Sequence, residues 1–463
     1  MVSDVMRYVA PQAWVDGAWA KEVLLTIAAD GTWSGVASDA GVELQRGAQR
    51  LAGPVLPGLV NAHSHAFQRA IAGLTERSHG SNDDFWRWRD RMYSVALRIT
   101  PEQLEAVAAL LYAELLQAGY TQVCEFHYLH NNTDGKPYAD PLALSLALVR
   151  AARRVGMGLT LLPTLYMRSG FGASGLREDQ RRFASTPDSV LRLAEGLLRQ
   201  GGSAGRINCG VAVHSLRAVD EAALREVAAA AKAQSLALHI HIAEQLQEVK
   251  DCVSAHGERP LEWLLKHVAL DARWNLVHAT QSTPAELAGI QRSGAAIVIC
   301  ASTEANLGDG VFDLPTYAGL GGNWSIGSDS HVTRSWQEEL RLLEYSQRLT
   351  LRQRNIAARV RGEQSSAAAL FTAALAGGSA ATSLPLGGIR RGQRADFLVV
   401  DTASPALLGI PADHLLDALV FSSPDARFSE VFVAGQRVVS GGQAREWPHL
   451  AEDFSGAMKA LWA

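Results

Sequence analysis

The 463-residue chain lacks the features of a secreted or membrane-bound protein. It has four cysteines (Cys124, Cys209, Cys252 and Cys300), and no two of them form a Cys-x-x-Cys pair. Most of them lie in or beside apolar runs, so we expect buried, reduced thiols. The amino terminus, MVSDVMRYVAPQAW, has no basic segment followed by an apolar core, and no uninterrupted apolar run reaches transmembrane length. We therefore expect a cytoplasmic protein.

The chain also lacks an excess of charge of either sign. It carries 43 lysines and arginines against 47 aspartates and glutamates, a net charge of -4, and has no basic run. This balance argues against nucleic acid or an anionic membrane surface as a partner. Hydrophobic residues make up 48% of the chain, which is normal for a globular protein with a sizeable core.

The most informative stretch is PGLVNAHSHAFQR, residues 57–69. The apolar run from Val55 to Val60 predicts a buried strand, and His63 and His65 follow it two residues apart. Because strand side chains alternate with a period of two, both imidazoles should face the same way. A pair of this kind also occurs as a hydrogen-bonded surface feature. Aimed at one point, however, two neutral imidazoles form half of a tetrahedral metal site.

Both ends of the chain have a texture of short apolar runs separated by glycine and aspartate, which favours strands joined by tight turns. The two β-rich ends are separated by a long insert, so we expect them to form one small domain together. The predicted divisions are a small β-sandwich domain from residues 1–55 and 386–445, a barrel from residues 56–385, and a C-terminal helix from residues 446–463.

Between the two ends, strand-like and helix-like patches alternate. One helix is predicted strongly over 101–118, because Thr100 can cap it, Pro101 occupies its first position and Gln103 completes a capping box. Eight strands that are each followed by a helix predict a (β/α)8 barrel. The predicted strands are the run over 55–60 and residues 121–128, 158–166, 207–215, 236–244, 274–280, 295–303 and 324–330.

In such a barrel, the active site lies where the strands end. The residues there that suit a metal are His63, His65, His241 and Asp329, and three imidazoles with one carboxylate leave room for a water molecule. His239 shares a face with His241, but His241 lies closer to the strand end. Zinc is the natural ion, with iron and manganese as alternatives. A second ion would need a lysine or glutamate on the fourth strand, and INCGVAVHS has neither, so we predict one metal.

Three polar residues at the strand ends suit the proton transfers of a hydrolysis. Asp329 can take the proton of the attacking water, His278 can polarise the attacking oxygen, and Glu244 can carry the proton to a leaving nitrogen. Two of these residues have structural alternatives. Glu244 could instead stabilise a helix amino terminus, and Asp329 could be a turn residue.

Taken in order, these motifs resemble the amidohydrolase superfamily over nearly the whole chain. The resemblance rests on PGLVNAHSH, on histidines that end strands five and six, on GSDSH, and on GGIRRGQRADFLVVD near the carboxyl end. A closer set resembles the formimidoylglutamate deiminase family, namely NAHSHAFQRA, DDFWRWRDRMY, AGYTQVCEFHYLH, HSLRAV, HIHIAEQ and CASTEANLGDG. That resemblance implies hydrolysis of N-formimino-L-glutamate to N-formyl-L-glutamate and ammonia in histidine degradation, by a homodimer.

The same resemblance assigns site residues. It implies one zinc ion on the four metal-binding residues named above, with Glu244 and His278 acting on the water and the leaving group. It also implies that the substrate is surrounded by Gln68, Arg89, Tyr128, His214 and Arg217. The arginines suit a substrate with two carboxylates, because a guanidinium binds a carboxylate through two parallel hydrogen bonds. The alternative for Arg89 is a surface cation stacked on Trp86 or Trp88.

Two rival functions fit parts of the pattern. A deaminase of purines or pyrimidines would use the same metal core, but it would not need two arginines at the mouth of the barrel. A non-catalytic scaffold would keep the barrel, but such proteins usually lose metal ligands, and this chain retains all of those that we would require. We therefore predict an enzyme with a small dicarboxylate as its substrate.

Overall fold

The computed structural model describes residues 5–77, 85–201, 205–423 and 426–463, and the side chains of residues 85–87 are not described. Asp83 and Asp84 of the DDFWRWRDRMY motif and the side chain of Trp86 therefore lie outside the described residues. The strands are β1 (Met6–Val15), β2 (Ala18–Ile27), β3 (Trp33–Ala37), β4 (Gln49–Arg50), β5 (Val55–Pro57), β6 (Leu59–Ser64), β7 (Tyr120–His127), β8 (Gly158–Leu165), β9 (Ile207–Cys209), β10 (Val211–Val213), β11 (Leu238–Ile242), β12 (Trp274–His278), β13 (Ala296–Ile299), β14 (Asn323–Ile326), β15 (Phe397–Val400), β16 (Phe428–Val433), β17 (Gln436–Ser440) and β18 (Gln443–Ala444).

Helices connect most of these strands. The α-helices are α1 (Val42–Gln45), α2 (Phe85–Ala96), α3 (Pro101–Gln117), α4 (Ala143–Val155), α5 (Pro187–Leu198), α6 (Glu221–Ala233), α7 (Leu246–His256), α8 (Pro260–His267), α9 (Pro284–Ser293), α10 (Ala301–Leu307), α11 (Leu314–Gly319), α12 (Trp336–Leu351), α13 (Ile356–Arg361), α14 (Ser366–Thr382), α15 (Leu415–Phe421) and α16 (Trp447–Trp462). Short 3₁₀ helices cover Ala66–Ala70, Glu178–Phe183, Pro405–Leu407 and Ala412–His414.

The strands from β6 to β14 form the predicted (β/α)8 barrel, and its fold class is confirmed. They pair in parallel in chain order. The fourth strand of the barrel is interrupted at Gly210, which divides it into β9 and β10, and both pieces pair with β8. The sequences of these strands are nearly continuous apolar runs, because parallel strands covered by helices are buried on both faces. The ring of strands places eight strand ends around one opening.

The small domain is built from both ends of the chain, as predicted. Its nine strands form one hydrogen-bonded sheet in the order β18-β17-β16-β15-β5-β1-β2-β3, with β4 beside β1. Aromatic residues from both halves of the sheet pack together in a core of their own. Tyr8 of β1 and Trp33 of β3 both contact Phe397 of β15, and Phe397 stacks on Phe432 of β16 with ring centroids 4.2 Å apart. This core gives the domain the layered packing of a sandwich.

The apolar run over 55–60 joins the two domains. We predicted one strand here, but the structure divides it at Gly58 into β5, which pairs with β15, and β6, which pairs with β7. A Cβ atom at Gly58 would lie 2.3 Å from the side chain of Thr121, so the close approach of the chains requires glycine. The prediction of a single strand was therefore wrong at Gly58. The residues on either side of it are equally apolar, so the apolar pattern does not reveal the break.

Two further boundaries differ from the predictions. The seventh strand ends at Ile299 and α10 begins at Ala301, whereas we predicted a strand through Thr303. The long polar loop predicted after the third strand contains the 3₁₀ helix Glu178–Phe183. Arg182 in this helix is fully buried and donates hydrogen bonds to the carbonyl oxygens of Ala96 and Ile99. These bonds tie the loop to the carboxyl end of α2.

Helix α14 lies across the amino-terminal end of the barrel. Its Ala381 carbonyl accepts a hydrogen bond from Nε2 of His239, 2.8 Å away, and its Thr382 carbonyl accepts one from Asn208. The opposite, carboxyl-terminal end of the barrel stays open. Among the residues that the structure describes, no helix combines the length and the apolar character needed to cross a membrane.

Candidate active site and metal centre

The barrel closes through the residues that we predicted to bind a metal. The backbone N–H of Asp329 donates to the carbonyl of His63 (3.0 Å), and the N–H of His65 donates to the carbonyl of Asp329 (3.3 Å). Gly327 permits this approach of β14 to β6, since a Cβ atom there would lie 2.6 Å from Cβ of His63. The closure therefore sets two histidines and one aspartate side by side.

The side chains of these residues converge. Oδ1 of Asp329 lies 3.3 Å from Nε2 of His63 and 3.4 Å from Nε2 of His65. Nε2 of His241, at the end of β11, lies 2.9 Å from Nε2 of His63. Ligand atoms about 2.0–2.2 Å from one tetrahedral ion lie roughly 3.3 Å apart. The spacing of the four side chains therefore fits one divalent ion.

The protonation of the histidines supports the same conclusion. Nδ1–H of His65 donates to the carbonyl of Phe126 (2.9 Å), and Nδ1–H of His241 donates to the carbonyl of His214 (3.0 Å). These bonds leave the Nε2 lone pairs facing the cluster. Burial lowers the pKa of His63 to about 3 and lowers the pKa values of His65 and His241 as well. The rings are therefore neutral, which is the form that binds a metal.

The backbone is strained where the site residues leave their strands. His278 has φ +72°, Ala243 has φ +51° and Asp329 has φ +46°, all in the left-handed region that residues with a side chain rarely adopt. Each such residue costs on the order of 1 kcal/mol, and strain of this kind concentrates at functional sites. These three residues lie at or just beyond the ends of β11, β12 and β14.

His278 lies between carboxylates beside the metal-binding cluster. Its Nε2 is 3.7 Å from Glu244 and 3.9 Å from Asp329, and its Nδ1 is 3.4 Å from Oε1 of Glu304. Although burial alone would lower the pKa of His278, the carboxylates raise it to about 10. A bound cation would offset part of that rise. The three carboxylates therefore hold the imidazole so that Nε2 faces the site.

The structure also bears on the alternative for Glu244. It is Glu248, in the first turn of α7, that accepts hydrogen bonds from the backbone N–H groups of Ala243 and Glu244, at 3.2 and 3.1 Å. The side chain of Glu244 is 9% exposed and faces His278. Burial raises the pKa of Glu244 above its usual value. Glu248, and not Glu244, therefore binds the backbone N–H groups before the helix, and the Glu244 carboxylate faces the site.

Ten of the eleven predicted site residues line one cleft at the open end of the barrel. His63 is the exception, because its fully buried ring lies beneath the cleft. At one side of the cleft, Nε2 of Gln68 donates to the phenol of Tyr128 (3.2 Å), whose ring packs against His65 and His214. The predicted residues that line the cleft are His65, Gln68, Arg89, Tyr128, His214, Arg217, His241, Glu244, His278 and Asp329.

Both predicted arginines reach this cleft. The guanidinium of Arg89, on α2, lies over the ring of Tyr93, 5.6 Å from its centroid. Burial lowers the pKa of Arg89, and the nearby charges of Arg177 and Arg217 lower it further. Burial alone would also lower the pKa of Arg217, but the carboxylates of Glu248 and Glu244 raise it. The cleft therefore carries positive charge beside the metal-binding cluster, which favours an anionic ligand.

Sequence reasoning gave no role to two residues that support the site, Glu125 and Glu304. Glu125 of β7 is fully enclosed and accepts hydrogen bonds from the backbone N–H of Ala66 (2.6 Å), the hydroxyl of Ser64 (2.7 Å) and the phenol of Tyr112. It thus fixes the chain on both sides of His65. The available signal for Glu125 was an acidic residue inside a predicted strand of the barrel. Glu304 lies in the CASTEANLGDG motif, but nothing in the motif shows that its partner is His278.

Several known proteins are similar to this chain in sequence and in fold. A model of the amidohydrolase family matches residues 55–438. The chain is 48% identical over 446 residues to formimidoylglutamate deiminase of Pseudomonas aeruginosa, covering 96% of each chain. Among solved structures, an amidohydrolase from Brucella melitensis superimposes with a TM-score of 0.92 at 41% identity, over 99% of this chain and 100% of that one. An adenosine deaminase from Xanthomonas campestris with bound zinc shares the fold, with a TM-score of 0.80 at 21% identity over 98% of each chain. The chain belongs to the amidohydrolase family.

Proposed function

We propose that the protein hydrolyses N-formimino-L-glutamate to N-formyl-L-glutamate and ammonia, with one zinc ion, as a step of histidine degradation. The observation that carries the proposal is a cluster of three histidines and one aspartate beside a cleft that two arginines line. The formimidoylglutamate deiminase to which the chain is similar supports the choice of substrate. The two guanidinium groups match the two carboxylates that a glutamate derivative carries.

His63, His65, His241 and Asp329 would hold the ion, and their spacing and neutral imidazoles fit it. When bound, the ion supplies a Lewis acid that lowers the pKa of a water molecule toward neutrality. Nitrogen and carboxylate ligands also accept iron or manganese, so the metal needs direct measurement.

The chain's own residues then move the protons. In the overall reaction, water adds to the amidine carbon, the bond from that carbon to the terminal nitrogen breaks, and both protons of the water end on the departing ammonia. Asp329 accepts a proton from the attacking water, and His278 donates a hydrogen bond to the oxygen as negative charge develops there. Glu244, beside His278, carries the proton to the leaving nitrogen.

The remaining predicted residues bind and orient the substrate. Arg89 and Arg217 bind its carboxylates, and Gln68, Tyr128 and His214 line the adjoining wall of the cleft. Gln68 and Tyr128 are both nearly buried and hydrogen-bonded to each other, so they form a rigid surface. Rigid walls of this kind hold the amidine carbon near the attacking water.

The test is ammonia release by the purified, metal-loaded protein from N-formimino-L-glutamate, guanine, adenosine and cytosine in parallel. We expect turnover of the formimino compound alone. If only the bases react, the substrate assignment is wrong. Metal analysis addresses the scaffold alternative, because a protein that binds no transition metal and stays inactive after reconstitution would have no enzymatic role.

We also propose that the protein is a cytoplasmic homodimer. The dimer rests on the family resemblance, and the four cysteines, all buried and unpaired, suit a reducing compartment. Light scattering tests the dimer: we expect a mass of twice the 49.7 kDa of one chain, and a mass of 49.7 kDa would contradict it. Fractionation of the cells that make the protein tests its location.

A further inference from the structure

Two tyrosines in the wall of the cleft share one buried partner. Tyr93 lies on α2 and Tyr166 follows the end of β8, and both line the cleft. Behind them, Gln180 of the 3₁₀ helix Glu178–Phe183 is fully buried. Its Nε2 donates to the phenolic oxygen of Tyr93 at 3.1 Å and to that of Tyr166 at 3.0 Å. One amide group therefore fixes two phenols that belong to separate segments.

The direction of these hydrogen bonds is set from the other side of the amide. Oε1 of Gln180 accepts a hydrogen bond from the backbone N–H of Arg177 at 3.1 Å, so the NH2 group must face the phenols. A phenolic oxygen that accepts a hydrogen bond keeps its own proton to donate. Burial, and then the neighbouring phenol of Tyr93, raises the pKa of Tyr166. Tyr166 therefore stays protonated.

The number of protons leaves one donor for a ligand. The two phenols have two protons, and at most one of them can be shared between Tyr93 and Tyr166. In the part of the chain that the structure describes, neither phenol has another hydrogen-bond acceptor. At least one O–H group is therefore available to whatever occupies the cleft.

The charges around the phenols indicate the kind of ligand. The guanidinium groups of Arg89 and Arg177 lie 5.6 and 5.7 Å from the centroid of the Tyr93 ring. The charges of Arg217 and Arg89 also act on Tyr166. An O–H donor among cationic groups is suited to a carboxylate, which accepts several hydrogen bonds at once.

We propose that Gln180 is a positioning residue for substrate specificity, which holds Tyr93 and Tyr166 so that a phenolic O–H, together with the arginines, binds one carboxylate of the substrate. This proposal rests on the proposed function, because it takes the dicarboxylate substrate from there. Gln180 acts through the tyrosines and does not touch the reacting atoms.

Two substitutions of Gln180 test the direction of its hydrogen bonds. Gln180→Leu removes both donors at similar volume. Gln180→Glu keeps an oxygen for the N–H of Arg177 but turns the other group into an acceptor, so the phenols would donate toward it and away from the cleft. For both variants, we expect the KM for N-formimino-L-glutamate to rise roughly 10- to 100-fold. The value of kcat should change much less.

Substrates with a single carboxylate sharpen the test. N-formiminoglycine keeps only the carboxylate next to the nitrogen, and N-formimino-4-aminobutyrate keeps only the distant one. If Gln180 positions the hydrogen-bond donors for one carboxylate, its substitution should weaken the binding of one of these compounds and leave the binding of the other unchanged. Equal weakening of both would indicate a general distortion of the cleft and overturn the proposal.

Matched variants separate positioning from folding. Gln347→Leu is the control, because Gln347 is also buried and donates to a carbonyl, that of Phe312, away from the cleft. Its KM should match that of the wild type. The double variant Tyr93→Phe/Tyr166→Phe keeps both rings, and adding Gln180→Leu to it should raise KM no further. An additional rise in this background would mean that Gln180 does not act through the phenols.

Calorimetric titration with glutarate gives a measurement that needs no turnover. If the wild type fails to hydrolyse N-formimino-L-glutamate, the proposed function fails, but the glutarate titration still tests Gln180. We expect both Gln180 variants to bind glutarate roughly 10- to 100-fold more weakly than the wild type and Gln347→Leu do. Unchanged affinity for glutarate, or no binding by the wild type, would overturn the proposal.

Discussion

Replacing Glu244 with glutamine changes one atom of a buried side chain and removes its ability to carry a proton. The side chain is 9% exposed, and its carboxyl group lies 3.7 Å from Nε2 of His278. The backbone at Glu244 is held by Glu248 and not by the Glu244 side chain. An amide of nearly the same volume should therefore occupy the same place without moving β11 or the metal ligands.

The expected loss follows from the role of the carboxyl group. A positioned general acid or base contributes about 10²- to 10⁴-fold to a rate. At about 1.4 kcal/mol per factor of ten, the loss of this group adds roughly 3–5 kcal/mol to the activation barrier. We expect kcat to fall by this factor, with KM changed only a few-fold, because Glu244 is not among the groups that bind the carboxylates.

The assay combines steady-state ammonia release with metal analysis of the same preparation. Glu244→Gln should retain the metal content of the wild type. Glu262→Gln is the control, because it makes the same chemical change at an exposed position on α8, and its kcat should equal that of the wild type. Normal turnover by Glu244→Gln would refute the proton-transfer role, and loss of the metal would show that Glu244 is a ligand.

Three further predictions concern the metal, the substrate and pH. His241→Ala should lose the bound metal, whereas His239→Ala should retain it. His239→Ala should lose only roughly 1–3 kcal/mol of unfolding free energy, since a buried carbonyl becomes unpaired. Metal analysis and urea unfolding measure these two effects, and equal metal loss in both variants would contradict the choice of His241. Arg217→Ala should raise KM roughly 10- to 150-fold with a smaller effect on kcat, and unchanged kinetics would remove this residue from the site. Burial raises the pKa of Glu339 from 4.5 to about 8, so the folded state keeps a proton that the unfolded chain releases, and the unfolding free energy should fall between these pH values by up to about 1.4 kcal/mol per unit. Urea unfolding across this range should show a flatter dependence for Glu339→Gln, and identical slopes would contradict the raised pKa.

The sequence was most informative where a local pattern has one structural meaning. Thr100, Pro101 and Gln103 predicted the start of α3, and the structure shows the capping box with both of its hydrogen bonds. The spacing of His63 and His65 predicted a shared face, and the structure brings both Nε2 atoms to Asp329. These patterns work because caps and strand alternation involve only a few neighbouring residues.

The predictions failed where the deciding partner is remote in sequence. The apolar run over 55–60 does not show that β5 pairs with β15 while β6 pairs with β7. Strand β13 stops before α10 because the carboxylate of Glu304 accepts a hydrogen bond from the backbone N–H of Cys300, a contact that apolar periodicity does not predict. Likewise, Gln180 lies in a polar loop without periodicity, and its role depends on tyrosines from two other segments.

The hydrogen bonds that link His63 and His65 to Asp329 join the first strand of the barrel, β6, to the residues that follow its last strand, β14. Ribosomes make a chain from its amino end, so the two histidines emerge long before the aspartate that completes their set. Closure of the barrel and completion of the predicted metal-binding set therefore depend on the same late segment of the chain.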